Sequence, residues 1–131
     1  MVDTTRLRFD DKATSIIVEH VGRRPDRVLR LEFDRTSGRG GAYYLVRLHW
    51  ASRERAKRDG TLVDCAGPGG VRIFVQRRLW RYLEWHTMRI HGLKFGPIRR
   101  LIPEAGPFFI DDLRAWEASH TSLGMAGTPA A

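Results

Sequence analysis

Cysteine is nearly absent from this sequence: Cys65 is the only one among 131 residues. One cysteine cannot form an internal disulfide, so a secreted disulfide scaffold is excluded. The same count excludes a zinc or iron–sulfur site whose ligands are several cysteines of this chain alone. A chain of this length can bury enough apolar surface to fold without a metal or a disulfide.

Long apolar runs are also absent. No stretch approaches the roughly 20 apolar residues that a helix needs to cross a bilayer. Residues 1–11 (MVDTTRLRFDD) lack the apolar segment of a signal peptide. We therefore expect a cytoplasmic protein with no membrane partner.

Lysine is scarce as well, since only three of the 23 basic residues are lysines, and the formal net charge is +8. An arginine-rich surface favours phosphates and other polyanions, whereas a genome rich in arginine codons gives the same composition without a function. Acidic residues lie among many of the arginines, which favours the second interpretation. The candidates for anion or nucleic-acid binding are Arg53, Arg55, Lys57 and Arg58, then Arg77, Arg78 and Arg81, then Arg99 and Arg100.

Aromatic residues accompany the second of these basic clusters. Trp80, Tyr82 and Trp85 lie among its arginines and could stack on bases. No helix-turn-helix, zinc-finger or RNA-recognition motif is present. Charge is therefore the main argument for a nucleic-acid partner.

The first part of the chain predicts a strand, a helix and a long hairpin. Residues 6–9 form a short strand, Asp10 or Asp11 caps a helix, and Gly22 ends that helix. Alternating apolar residues predict strands over 28–33 and 42–50. The segment 35–41 between them is rich in Gly and Ser and predicts a long hairpin tip.

The middle of the chain predicts short strands around one short helix. Residues 51–60 are charged and predict a loop or one helical turn. The further elements expected there are strands at 61–65, 71–75, 87–91 and 98–102, a helix over 76–85, and turns at 67–70 and 92–96.

The composition changes after Gly106. Phe108, Phe109, Leu113 and Trp116 predict a short amphipathic helix that begins near Asp111 or Asp112 and packs on its own domain or on another chain. Residues 121–131 predict a disordered tail. The whole pattern predicts a β-rich α+β fold, with a domain over 1–106, an apolar helical extension over 107–120 and a tail over 121–131.

One loop and the order of the elements resemble a known family. The segment RTSGRGGAYY (35–44) is similar to the family's TSGCSG followed by a tyrosine, and LRL (29–31) before it matches a family strand. The later matches are GVRIFV (70–75), RLWRYL (78–83), TMRI (87–90), and Ile102-Pro103 in place of the family's NP. From about Leu7 to Pro103 the chain resembles a HesB-like domain, the fold of A-type iron–sulfur carriers. The resemblance implies a compact domain of short mixed strands with an N-terminal helix, often in a homodimer.

The family holds iron or a cluster through three cysteines, and none is kept at the matching positions. In the hairpin loop the first ligand position is Arg39, and the matching loop residues around it are Thr36, Ser37, Gly38 and Gly41. The family's Cys-Gly-Cys tail is replaced by EAGPF (104–108). Because arginine is permanently charged and cannot coordinate a cation, the resemblance implies the fold and argues against an iron–sulfur cofactor.

The remaining candidate residues give weaker indications of a binding or catalytic site. Cys65 is either a ligand shared across a dimer, a redox thiol, or a small buried apolar residue, which is the commonest state of a free cysteine. The five histidines show no HxH or HExxH spacing, so no metal site is predicted. The loop 37–41 could hold an anion but lacks the Gly-Lys-Ser/Thr of a nucleotide loop. No nucleophile, base and orienting group are neighbours in the sequence, so no enzyme is predicted.

The sequence therefore favours a non-enzymatic HesB-like protein that has lost its cysteine ligands and acts as a structural or interaction module, with a protein partner or as a homodimer. Two alternatives stay open. One is a basic protein that binds nucleic acid or another polyanion. The other is an iron or cluster carrier that uses Cys65 across a dimer.

Overall fold

The computed structural model describes residues 6–38 and 41–126, except for the side chains of 121–126. Strands and helices alternate along this part of the chain, which confirms the predicted strand-rich α+β fold. The elements are β1 (Leu7–Phe9), α1 (Asp11–Arg23), β2 (Arg27–Gly38), β3 (Gly41–Ser52), α2 (Arg53–Arg58), β4 (Leu62–Ala66), a 3₁₀ turn (Pro68–Gly70), β5 (Arg72–Gln76), α3 (Arg77–Leu83), β6 (Met88–Phe95), β7 (Ile98–Pro103), β8 (Phe108–Phe109) and α4 (Ile110–Ala126).

The chain forms two compact units. The first comprises Met1–Phe33 and Val46–Ala105, and the second comprises Asp34–Leu45 and Gly106–Ala131. Strands β2 and β3 each contribute residues to both units. The three-part division predicted from the sequence stays a prediction.

The first unit contains two sheets. In one, β1 runs parallel to β6 and β7 runs antiparallel to β6, in the order β1-β6-β7. In the other, β4 is antiparallel to β5, β5 is parallel to β2, and β3 lies next to β2. Apolar side chains with no exposed surface form the core: Ile17, Leu29, Leu31, Ile73, Val75, Leu79, Leu83 and Ile90.

The second unit contains the outer parts of β2 and β3, followed by β8 and α4. Strand β8 pairs antiparallel with β3 and places Phe108 opposite Tyr44 and Phe109 opposite Tyr43. The sequence did not predict this short strand. Two adjacent aromatic residues fit a pleated strand beside two tyrosines, and the helix begins at Ile110, next to the predicted start at Asp111 or Asp112.

Helix α1 is capped as predicted but ends later. Asp10 is the N-cap, and its side chain accepts a hydrogen bond from the Ala13 N–H at 2.7 Å. Gly22 does not end the helix, which continues to Arg23. The end is better explained by Pro25, because a proline disfavours helical geometry in the residue before it.

Two predicted loops are strands in the structure. Strand β2 continues through residues 35–38, so the hairpin tip is shorter than predicted. Strand β6 continues through Gly92 to Phe95, so the predicted turn at 92–96 is limited to Gly96 and Pro97. Gly92 serves close packing instead, since a side chain there would collide with the backbone of Lys12 and Ala13 in α1.

The C-terminal helix is longer than predicted. Helix α4 extends to Ala126, six residues into the segment predicted as a disordered tail. That segment contains Ala, Leu and Met residues, which favour helix. None of the helices in residues 6–38 and 41–126 combines the length and hydropathy that a membrane crossing requires.

Candidate functional site

Cys65 lies in β4 and is completely buried. It is opposite Ile73 of the interior strand β5, and its thiol donates a weak hydrogen bond to the Val63 carbonyl at 3.6 Å. Burial raises the pKa of the Cys65 thiol to about 12, and the neighbouring carboxylate of Asp64 acts in the same direction. Burial therefore disfavours the thiolate, which is the form of cysteine that coordinates metals and exchanges with disulfides.

The residues of the family ligand loop are only partly described. Thr36, Ser37 and Gly38 form the outer end of β2, and Gly41 begins β3 with a positive φ of 103°. Such a φ favours glycine. Arg39, which stands at the first ligand position, lies outside the described residues.

The segment that replaces the cysteine tail begins with a carboxylate bound to a histidine. Glu104 Oε2 lies 2.6 Å from His91 Nε2, and Asp10 Oδ2 lies 3.3 Å from His91 Nδ1. Asp10 also accepts hydrogen bonds from the N–H groups of Ala13 and Gly92 through its other carboxylate oxygen. We call these three side chains, Asp10, His91 and Glu104, the His91 cluster.

The geometry of the His91 cluster fits an imidazolium ion. A neutral imidazole has one N–H, whereas each ring nitrogen here faces a carboxylate oxygen. The pKa of His91 is raised, first by its hydrogen bond to Glu104 and then by that to Asp10. The pKa of Glu104 is lowered by His91, and the pKa of Asp10 is lowered chiefly by the Ala13 N–H. Because both nitrogens are engaged, the ring is not free to act as a general base.

The other histidines of the described residues lie apart from the His91 cluster. Within residues 6–38 and 41–126, no group of three or more His, Cys, Asp or Glu side chains is arranged to hold a metal ion. His20 stacks on Trp50 at 3.9 Å between ring centroids, and Tyr82 stacks on His86 at 4.2 Å. Burial, followed by Arg23 and further nearby arginines, lowers the pKa of His20.

One face of the β6–β7 hairpin carries several exposed apolar side chains, together with Arg100 and His91. Register pairs Phe95 with Ile98, and these side chains are 69% and 48% exposed. Leu93 and Ile102 lie on the same face and are 42% and 44% exposed. We call these four residues the hairpin face. Exposed apolar side chains that are contiguous, rather than scattered, mark interaction surfaces.

A groove of about 420 Å³ lies along β7. Residues 99–103 line it, together with Leu93 of β6 and apolar residues from α1, β2 and β3, namely Ile16, Leu29, Leu48 and Trp50. Among the described residues of the lining, Arg99 and Arg100 are the only charged ones. The groove can therefore take an apolar group that carries negative charge.

The predicted basic clusters belong to separate elements. Arg55, Lys57 and Arg58 are exposed on α2, whereas Arg53 donates a hydrogen bond to the Pro25 carbonyl at 2.7 Å. On α3, the Arg77 side chain donates to the Gly60 carbonyl at 3.2 Å.

The rest of the α3 cluster is partly used in packing. The Arg78 guanidinium lies 5.7 Å from the centre of the Phe33 ring, and Arg81 is exposed. Trp80 is half-buried and Trp85 is 57% exposed. The contact with Phe33 shows that Arg78 is partly a packing residue.

The predicted interaction residues near the C-terminus lie in the second unit. Phe109 is 52% exposed and Phe108 is half-buried, whereas Leu113 is buried at 3% exposure. Trp116 stacks on His120, with ring centroids 4.2 Å apart. Of these residues, Phe109 has the largest exposed surface.

Sequence reasoning missed the His91 cluster and the groove. Asp10 and His91 are 81 residues apart, and they meet because β1 pairs in parallel with β6 and places Phe9 opposite Ile90. No local spacing indicates such a pairing. The groove depends on the same long-range arrangement, although alternation in 98–102 did predict the strand that forms its side.

Comparison with known structures agrees with the fold. The structure is similar to the crystal structure of Escherichia coli SufA, which is described as involved in the biosynthesis of iron–sulfur clusters, with a TM-score of 0.56 and 18% sequence identity. The match covers 76% of this chain and 82% of that chain. The HesB-like resemblance of the sequence is thereby confirmed at the level of the fold. No protein-family model and no curated protein sequence matches the chain significantly.

Proposed function

We propose that this chain uses the A-type carrier fold as a protein-interaction module and not to carry iron or a cluster. The observation behind the proposal is the state of Cys65, the only thiol of the chain. It has no exposed surface, and burial raises its pKa to about 12. Cluster ligation requires accessible thiolates, so the residues present do not fit the group that the fold family carries.

The burial of Cys65 also argues against a carrier that shares this cysteine across a dimer. Such a site needs the sulfur of each chain at the contact surface. Here the side chain lies in β4 opposite Ile73, which is itself fully buried. Exposing the sulfur would require the groups packed over this face of the sheet to move away. We therefore propose that Cys65 is a core residue.

The hairpin face supports an interaction role. Phe95 is 69% exposed and lies beside Ile98 across the β6–β7 register. Leaving such side chains in water gives up a favourable burial of about 25 cal/mol per Å². A partner that covers the face recovers this free energy. We further expect that the module is not an enzyme and that it acts in the cytoplasm; both statements stay predictions.

Reconstitution with ferrous iron and sulfide under reducing, anaerobic conditions tests the loss of carrier chemistry. We expect no stoichiometric visible chromophore after desalting, and the same spectrum for wild type and Cys65→Ala. We also expect Cys65 to react with a thiol reagent at neutral pH only after unfolding, because almost no thiolate is present in the native state. A chromophore that forms on wild type and is absent from Cys65→Ala would refute the proposal.

Site-specific photo-crosslinking tests the interaction role. A photoreactive amino acid is placed at Phe95 or Ile98, and the crosslinked protein is identified by mass spectrometry. Trp85, which is 57% exposed on another part of the chain, provides the matched control position. We expect the same partner protein to be crosslinked from both hairpin positions, and no crosslink to that protein from position 85. Equal crosslinking at all three positions would contradict a specific interaction face.

A further inference from the structure

Strand β7 has a free edge. It is the last strand in the order β1-β6-β7, and β6 is its only strand partner in residues 6–38 and 41–126. Free edges present unpaired N–H and C=O groups that pair readily with another extended segment. The edge is therefore a candidate docking site.

The register shows which backbone groups point outward. The Glu104 N–H donates to the Arg89 carbonyl at 2.8 Å, so Glu104 directs its backbone groups toward β6. Orientation alternates along an antiparallel strand, so Arg99, Leu101 and Pro103 direct theirs away from β6. Pro103 has no N–H to lose at an outward position, as is usual for edge strands. The free edge offers the N–H and C=O groups of Arg99 and Leu101 and the carbonyl of Pro103.

The groove borders the strand that carries this edge. Residues 99–103 of β7 line its 420 Å³ together with Leu48 and Trp50 of β3. Side chains of a strand alternate between its two faces. A segment paired with β7 can therefore direct every second side chain into the apolar groove and the others toward solvent.

The charge of the groove selects the occupant. Arg99 and Arg100 are exposed and make no ion pair with any described residue, and no acidic residue of the described part of the chain lines the groove. The Arg99 guanidinium donates to the carbonyls of Gly96 at 2.6 Å and Ile98 at 3.0 Å, which holds it against the hairpin. A second copy of this chain is disfavoured, because each copy carries a formal net charge of +8 and the paired edges would bring arginines together.

We propose that the free edge of β7 and its groove bind an extended, acidic segment of a partner protein. The segment adds a strand beside β7 and inserts alternate apolar side chains into the groove. Its carboxylates lie along the same edge as Arg99 and Arg100, whose long side chains project from opposite faces of β7. This proposal rests on the proposed interaction function and specifies the chemical character of the partner segment. The hairpin face is continuous with the site through Leu93, which also lines the groove.

The probe is an amidated, fluorescein-labelled peptide of about eight residues in which Glu alternates with Val and Leu. Anisotropy should show saturable binding to wild type, at least about tenfold tighter than that of the same peptide with Lys in place of Glu. Amide shifts in ¹⁵N spectra should concentrate in residues 98–103 and at the Trp50 indole. A peptide that does not bind, or that binds equally well with Lys, overturns the proposal. So do shifts centred on α2 or α3.

Variants of the protein separate the edge from general charge. Leu101→Pro removes an outward N–H without removing a bond to β6, and we expect about a tenfold loss of affinity. The double variant Arg99→Glu/Arg100→Glu should lose as much. The matched control, Arg55→Glu/Lys57→Glu, makes the same change of net charge on α2 and should stay within about twofold of wild type. Equal effects in both double variants contradict the site.

Two further measurements keep the test decisive. If Leu101→Pro does not fold, N-methylation of alternate peptide amides tests the same hydrogen bonds on wild type and should abolish binding. Sedimentation velocity tests whether a second copy of the chain occupies the edge. A dimer that is altered by Arg99→Glu/Arg100→Glu, and not by the control double variant, would assign the edge to a second copy. If the peptide does not bind and no iron–sulfide chromophore forms, this site is refuted and the proposed function is not. If a chromophore forms on wild type and not on Cys65→Ala, the proposed function is refuted, whatever the result with the peptide.

Discussion

Glycine at position 92 shows how one residue sets the distance between two elements. A Cβ at Gly92 would collide with backbone atoms of Lys12 and Ala13, and these atoms cannot move as a flexible side chain does. The Gly92 N–H also donates to Asp10 at 3.0 Å. The absence of a side chain therefore lets β6 lie directly against the first turn of α1.

We predict that Gly92→Ala destabilises the protein by about 1–3 kcal/mol, the usual cost of overpacking. Gly22→Ala is the matched control, because Gly22 is exposed in α1 and a Cβ there meets nothing within 4 Å. Removing a glycine from a helix stabilises it by about 0.5–1 kcal/mol. Urea unfolding monitored by circular dichroism should shift the two midpoints in opposite directions. Similar midpoints for both variants would contradict the packing role of Gly92.

At the scale of single residues, sequence reasoning succeeds for the local pattern at Asp10 and fails for the two glycines. Asp10 as an N-cap was predicted, because a cap is a local pattern of a few residues. Gly22 and Gly92 were both read as ends or turns and are neither. Gly22 lies within helix α1. Gly92 allows close packing against residues about 80 positions earlier in the sequence, and no local pattern indicates that contact.

At the scale of elements, the His91 cluster joins the start of α1 to the end of β7. Asp10 precedes α1, and Glu104 follows β7 directly. Both carboxylates face the same imidazole, so the cluster is complete only while His91 is protonated and both acids are ionised. The attachment of the β7 end is therefore pH-dependent.

The direction of this dependence follows from the pKa shifts. The raised pKa of His91 means that its stabilisation is fully present below the unfolded value, about 6.5, and is lost as pH rises through the folded value. The pKa values of Glu104 and Asp10 are lowered, so the stabilisation from these two carboxylates is present above about pH 4 and is lost as pH falls. The cluster should contribute most between about pH 4.5 and 6.5.

We predict that NMR titration gives His91 a pKa above 6.5 and His20 a pKa below it. Glu104→Gln should lower the pKa of His91, since the largest cause of its shift is removed. Glu54→Gln is the control, because Glu54 is exposed and pairs with Arg58 on α2. The Tm difference between wild type and Glu104→Gln should shrink above the pKa of His91. If the pKa of His91 is the same in wild type and Glu104→Gln, the proposed interaction between His91 and Glu104 is contradicted.

Sequence periodicity predicted the middle elements well. The strands at 71–75 and 98–102 and the helix over 76–85 all correspond to observed elements, because each has its own repeat of apolar residues. The strand at Phe108 and Phe109 was not predicted, since two adjacent aromatic residues fit more than one pattern and only the neighbouring strand β3 decides. Which strands pair, and therefore where the candidate site lies, depends on contacts between distant segments.

At the scale of the whole molecule, the formal net charge of +8 is distributed over separate elements. Several arginines are held by the protein's own backbone, such as Arg53 at the Pro25 carbonyl and Arg77 at the Gly60 carbonyl. This distribution supports general attraction of polyanions rather than a dedicated nucleic-acid site. The polyanion alternative therefore has a distinct expected signature.

We predict that labelled single-stranded and duplex DNA bind weakly at about 20 mM salt and dissociate by about 200 mM, with no preference among sequences. Because the attraction depends on total charge, Arg77→Glu/Arg81→Glu on α3 and Arg55→Glu/Lys57→Glu on α2 should weaken binding to a similar extent. Anisotropy titrations across a salt series measure both effects. Binding that survives 200 mM salt and is lost selectively in Arg77→Glu/Arg81→Glu would instead identify α3, with the exposed Trp85 beside it, as a nucleic-acid site.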